Sequence, residues 1–210
     1  MKINQWKKFS IASSLAGATM AFVMVSSYNP VKVAARTETS TISNSTNPVV
    51  VNTNLTEEEV LNAQKAWGNG LVAIATTYDE KGRAAATALA QKVIDEAYGY
   101  DLGVVLFKPT LTEGKQTFRT TEEGALSYFV GGNPKFPSDS GFALKGWRKV
   151  EIQNAGILIT GNMATTQGNV LVTDKNGKVT TVDKTWQFLK DNTGKIRIMV
   201  HHSSLPYSSK

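Results

Sequence analysis

The chain has 210 residues, 41% of them apolar, with 23 Lys and Arg against 17 Asp and Glu, a net charge of +6 and no cysteine. That length fits one folded domain with extra sequence at the ends, and the apolar fraction suffices for a core that does not depend on disulfides. Beyond Lys2, Lys7 and Lys8 no Lys/Arg run or basic–aromatic ladder occurs, which argues against a nucleic-acid partner.

Residues 1–27 place those three lysines ahead of an apolar, small-residue run from Phe9 to Val25. This is the layout of a secretory signal, with an uncleaved anchor as the alternative. The run is interrupted by Ser and Thr and makes a poor transmembrane span, so no other membrane association is expected. The destination read from it is outside the cytoplasm, in a periplasm or thylakoid lumen. Residues 28–54 are rich in Ser, Thr and Asn without periodicity and read as a polar tether. The folded domain is expected over 55–207, with 208–210 as a tail.

Thr56 followed by Glu59 is a capping box that starts a first helix. Val60, Ala63, Trp67, Leu71, Ile74 and Tyr78 then recur at steps of three and four, giving one apolar stripe. A second helix is expected in "RAAATALAQKVIDEAYG", stopped at Gly99. After it come β-branched and aromatic runs: "GVVLFKPT", "ALSYFVGG", "WRKVEIQNAGILIT", "MATTQGNVLVTD", "KVTTVDKTWQFLKD" and "KIRIMVHHSS". "DKNGK" and "DNTGK" are hairpin turns by chemistry, so the last strands are antiparallel neighbours. The expected class is α+β: N-terminal helices packed on one face of a curved antiparallel sheet, a cone with an internal pocket.

Candidate chemistry concentrates at "MVHHSSLPYS", which contains both histidines of the chain, His201 and His202. Consecutive strand side chains point to opposite faces, so only one of the two enters the pocket. Catalytic zinc usually takes three protein ligands, and two adjacent histidines without cysteine do not supply them. Ile196, Ile198 and Val200 share a face by alternation, which puts His202 and Ser204 inside with them. A bulge would reverse the parity and place His201 and Ser203 there instead. No G-x-S-x-G elbow supports a serine hydrolase. Thr110 and Tyr128 stand out elsewhere, among glycines and aromatic residues.

The stretches "EEEVLNAQKAWGNGLV", "YGYDLGVVLFKPT", "FRTTEEGALSYFVGG", "DSGFALKGW", "NAGILITGN" and "HHSSLPY" occur in that order. Together they make the chain resemble the iota class of carbonic anhydrases, on the cone fold of the nuclear-transport-factor and SnoaL-like superfamily. The resemblance implies a lyase, a carbonate dehydratase that interconverts CO₂ and bicarbonate, working without a metal cofactor. Manganese or zinc is the alternative. It further implies bicarbonate held by Thr110, Tyr128 and either Ser203 or Ser204, and a homodimer formed through the sheet. A histidine, with an unperturbed pKa of about 6.5, is the natural proton carrier to bulk, so His201 or His202 is expected in that role. Two other readings compete. One is a small-molecule-binding cone or isomerase, with Asp101 or Glu122 as base. The other is a non-catalytic association module that uses outward sheet residues such as Trp186 and Arg197.

Overall fold

Thr56 receives the Glu59 amide on its side chain and returns its own amide to the Glu59 carboxylate, so the expected capping box is formed. It opens α1 (Glu57–Ala97), in a computed structural model that describes residues 53–209. The export signal and nearly all of the tether lie outside the described residues. Helical geometry breaks once inside α1, at Gly82, where φ is 78°. Only glycine takes that conformation at low cost. The two expected helices therefore exist, joined at a kink rather than by a loop. Val60, Trp67, Leu71 and Ile74 of the stripe are buried.

The strands are β1 (Leu106–Lys108), β2 (Trp147–Thr160), β3 (Met163–Asp174), β4 (Val179–Lys190) and β5 (Ile196–Ser204), in the sheet order β1-β5-β4-β3-β2. The β2–β3, β3–β4 and β4–β5 pairs are antiparallel, and the two Asp–Gly turns close the last two hairpins as expected. One feature departs from the all-antiparallel expectation. β1 lies parallel to β5, with Phe107 opposite His201 and Lys108 opposite His202. Between β1 and β5 the chain runs through α2 and the β2–β4 meander, a connection long enough to allow a parallel pairing.

A second departure is α2 (Glu122–Val130), which occupies the "ALSYFVGG" expected as a strand. Thr121 caps it by accepting the Gly124 amide, and the acidic pair Glu122–Glu123 fills its first turn, where the helix dipole favours negative charge. Tyr, Phe and Val suit strands by propensity, but tertiary packing overrides it: Tyr128, Phe129 and Val130 are all buried here.

Trp186 and Arg197 do not face outward. Val182, Lys184, Trp186 and Phe188 alternate onto the inner face of β4, and Trp186 is only 1% exposed. Arg197 is buried at the sheet edge, bonded to the Tyr98 carbonyl and to Asp101. Among the described residues no helix is long and apolar enough to cross a membrane.

Candidate active site

The inner face of β5 is set by a bulge. Ile198 stands opposite Phe188 and Val200 opposite Gln187, which leaves Met199 as an extra residue between them. The bulge reverses the alternation beyond it. His201 and Ser203 are consequently buried, at 2% and 1% exposure, while His202 is exposed and Ser204 half-buried on the outer face. Simple alternation from Ile196 had placed His202 and Ser204 inside, and the extra residue at Met199 is the reason it does not hold.

Ser203 meets Thr110, which follows β1 on the parallel edge, with their hydroxyl oxygens 2.6 Å apart. Lys108 Nζ donates to the Ser203 carbonyl at 2.8 Å and ties the same edge from outside. The third hydroxyl comes from α2. Tyr128 is 5% exposed, and its hydroxyl lies against Thr110 and the Leu111 backbone without a well-formed hydrogen bond. Burial pushes its pKa up to about 12, so it stays a proton donor at neutral pH. Thr110, Tyr128 and Ser203 thus converge from three elements, and one of the three hydroxyls is buried and unspent. A buried hydroxyl without a partner carries a desolvation cost, which a bound polar ligand would remove.

Beside Thr110 an open pocket of about 350 Å³ is bounded by Leu111, Thr112, Gln116, Arg119 and Asp139. Arg119 and Asp139 form a buried ion pair at 2.7 Å, and Ser127 donates to the same carboxylate at 2.6 Å. These contacts fix the loop after α2 and with it the position of Tyr128.

Behind the hydroxyls stands a chain of contacts that the sequence reading missed. His201 is stacked on Phe107, their ring centroids 4.5 Å apart. Its Nδ1 lies 2.7 Å from the Tyr98 hydroxyl, which accepts from Trp67 Nε1 at 3.0 Å. Its Nε2 lies 2.7 Å from Lys184 Nζ. Burial pulls the Lys184 amine down to about 7. The His201 imidazole is held well below its ordinary value, by burial first and by Lys184 next. His201 is therefore neutral and enclosed, not a group that cycles its charge with bulk water. A lysine in the phase of Val182, Trp186 and Phe188 was the available signal for Lys184.

The competing sites are not assembled. Asp101 is ion-paired to Arg197 at the surface, and Glu122 lies in the first turn of α2, bonded to Gln91. The two apolar spaces beneath α1 measure about 10 and 150 Å³, below the ~300–1,000 Å³ usual for small-molecule sites. Among the described residues no three His, Cys, Asp or Glu side chains converge, so manganese or zinc finds no donor set.

An α+β cone with three hydroxyls converging at its inner edge is arranged to hold a small polar ligand. The comparisons narrow this further. Residues 58–205 match the family described as metal-independent carbonic anhydrase, and the chain belongs to that family. It is 70% identical over 158 residues to the metal-independent carbonic anhydrase of Nostoc sp. (strain PCC 7120), covering 75% of this chain and 77% of that one. It also resembles a crystal structure of a cyanobacterial iota-carbonic anhydrase complexed with bicarbonate, at 67% identity and a TM-score of 0.76. That match covers 78% of this chain and 99% of the other.

Proposed function

We propose that this chain catalyses the reversible hydration of CO₂ to bicarbonate and a proton, with Thr110, Tyr128 and Ser203 as the cage that holds the anion. The observation that carries the assignment of residues is the meeting of Thr110 and Ser203 at 2.6 Å beside the unspent Tyr128 hydroxyl. In hydration the water oxygen forms a bond to the CO₂ carbon, one C=O electron pair moves onto oxygen, and the water gives up a proton. Bulk water has a pKa near 15.7, and a zinc ion would lower it to about 7. Here fixed hydroxyl dipoles aimed at the developing charge take over part of that work. Tyr128 donates to the oxyanion, and Ser203 and Thr110 pass one donor between themselves and accept from the attacking water.

The test is CO₂–bicarbonate exchange on the chain from Asn54 onward, after chelation and with metals quantified. Activity without stoichiometric metal is expected. Activity that required added manganese or zinc, or no activity at all, would overturn the reading.

Assembly and destination belong to the same proposal. The sheet's outer face carries Leu158 and Met163 exposed beside a polar ladder of Thr165, Gln167, Thr185 and Gln187. This supports a homodimer formed through the sheet, and sedimentation would show twice the monomer mass. The N-terminal lysines and apolar run support export to a periplasm or lumen, which fractionation of cells carrying the full chain would test.

A further inference from the structure

The donor count around His201 determines the charge on Lys184. Indole N–H can only donate, so Trp67 fills an acceptor position on Tyr98 and leaves the Tyr98 O–H free to donate. Its one neighbouring acceptor is His201 Nδ1, at 2.7 Å. If the Tyr98 proton goes there, the imidazole carries its own hydrogen on Nε2 and donates it to Lys184 Nζ, 2.7 Å away. An amine that accepts must have its lone pair, and is therefore uncharged. The reverse arrangement, with an ammonium donating to Nε2, forces the Nδ1 hydrogen onto Tyr98 and strands the Tyr98 proton in a fully buried position. A buried donor left unsatisfied keeps its full desolvation cost, which disfavours this arrangement.

The surroundings agree with this count. Lys184 is 5% exposed, and among the described residues no carboxylate pairs with it. α1 contributes the Trp67 ring and β4 contributes Trp186, whose faces at 4.7 and 5.2 Å favour an ammonium but supply no countercharge. From β5 come His201 and, on the far face, His202. Lys108 on β1 holds the Ser203 carbonyl, Asp183 on the outer face is bonded to Asn169, and Asp139 is already engaged by Arg119. Burial, the first cause of the depressed Lys184 value, thus acts without an anion to oppose it.

Lys184 is also the direct cross-strand partner of Ser203. Opposed pairs of this kind bring Cβ atoms to about 4.5–5.5 Å, so Lys184 runs past the proposed anion cage on its way to His201. We propose that Lys184 is a further positioning residue of this site, neutral at rest and gaining a proton when bicarbonate occupies the cage. The inference rests on the bicarbonate reading above. In hydration the water's proton would pass to Lys184 Nζ while the His201 hydrogen moves from Nε2 to Nδ1, so that Nε2 accepts from the new ammonium; the nearby bicarbonate charge offsets the Tyr98 proton this strands. By linkage, protonated Lys184 holds bicarbonate more tightly, and bicarbonate in turn raises the affinity of Lys184 for its proton.

Lysine labelled with ¹³Cε and ¹⁵Nζ separates these claims, with Lys184→Met assigning the signal. The expected result for the folded chain without ligand is a Lys184 midpoint near 7, moving up by about one unit in saturating sodium bicarbonate. Correspondingly, bicarbonate affinity, corrected for its own speciation, should weaken about sixfold from pH 6.5 to 8.5, and Lys184→Met should abolish that dependence. A midpoint above 10 overturns the neutral resting state. A midpoint near 7 that bicarbonate leaves in place overturns the linkage alone. Failure of ¹³C-bicarbonate to bind at any pH sinks the cage reading and the linkage with it, while the ligand-free midpoint still decides the resting charge.

Discussion

Thr110 and Ser203 are 93 residues apart in sequence, and their hydroxyl oxygens are 2.6 Å apart across the parallel edge of the sheet. Nothing local in either segment creates that contact. It requires β1 to lie alongside β5 in one register and the Met199 bulge to turn Ser203 inward. Ser203→Ala and Thr110→Val should each lower kcat/KM for CO₂ hydration by about 10²-fold, the size of the loss when the attacking water is misplaced. Ser204→Ala and His202→Ala, on the outer face, should stay within about twofold of the parent. A Ser204 variant as impaired as the Ser203 one would contradict the bulge.

Tyr128→Phe should move stability and activity in opposite directions. The hydroxyl is buried and lacks a well-formed partner, so removing it relieves a desolvation cost and should raise stability by up to about 1 kcal/mol. The same oxygen is the unspent donor of the cage, so hydration should drop at least tenfold. Thermal melts and initial rates on one preparation check both signs. A variant that lost stability and kept its activity would make Tyr128 an ordinary core residue.

Much of the fold was legible because its signals are local. The Thr56–Glu59 box, the α1 stripe and the two Asp–Gly hairpins each depend on a few neighbouring residues. The misses are features decided at a distance. α2 is nine residues long, too short for its period to outweigh the strand propensity of Tyr128, Phe129 and Val130. β1 is three residues long, and its parallel partner β5 is the last strand of the chain. At the site, Thr110 and Tyr128 stood out by composition but took their roles from the resemblance alone, and the choice between Ser203 and Ser204 turned on a bulge that leaves no composition signal. Lys184 was visible only as a charged residue in an apolar phase, a pattern easily passed over as a strand's polar break.

Lys184 and His201 should give the chain an unusual pH–stability curve. Both are bases with lowered values in the folded state, so the unfolded chain binds more protons between the folded and unfolded values. Stability therefore rises with pH, first up to about 6.5 through His201, then from about 7 to about 10 through Lys184. Above about pH 10 the trend reverses, because burial raises Tyr98 and Tyr128 and the unfolded chain loses those protons first. Urea midpoints at half-unit intervals from pH 6 to 10 should climb throughout. In Lys184→Met the climb above pH 7 should flatten, and an unchanged slope would remove Lys184 as its source.

Gly168→Ala should damage the fold while sparing the chemistry. Gly168 stands opposite Asn154 where the β2–β3 register shifts, and a Cβ there would come within 2.1 Å of the Gln153 carbonyl oxygen and 2.8 Å of the Asn154 Cα. Both are backbone atoms and cannot swing aside, so β2 must move. Asn154 exchanges two 2.9 Å hydrogen bonds with Gln64, and Gln64 donates to Thr166 at 3.1 Å, which ties α1 to the middle of the sheet. Displacing β2 strains that amide pair, and the expected loss is about 2–4 kcal/mol, within the range for overpacking plus a broken buried network. Thr110 lies beyond the end of β1, Tyr128 on α2 and Ser203 on β5, and β1 and β5 are at the opposite side of the sheet order from β2. Hydration at 10 °C should therefore stay within about threefold of the parent while the urea midpoint falls sharply. Equal losses of rate and stability would mean that the cage depends on β2 more directly than the geometry indicates.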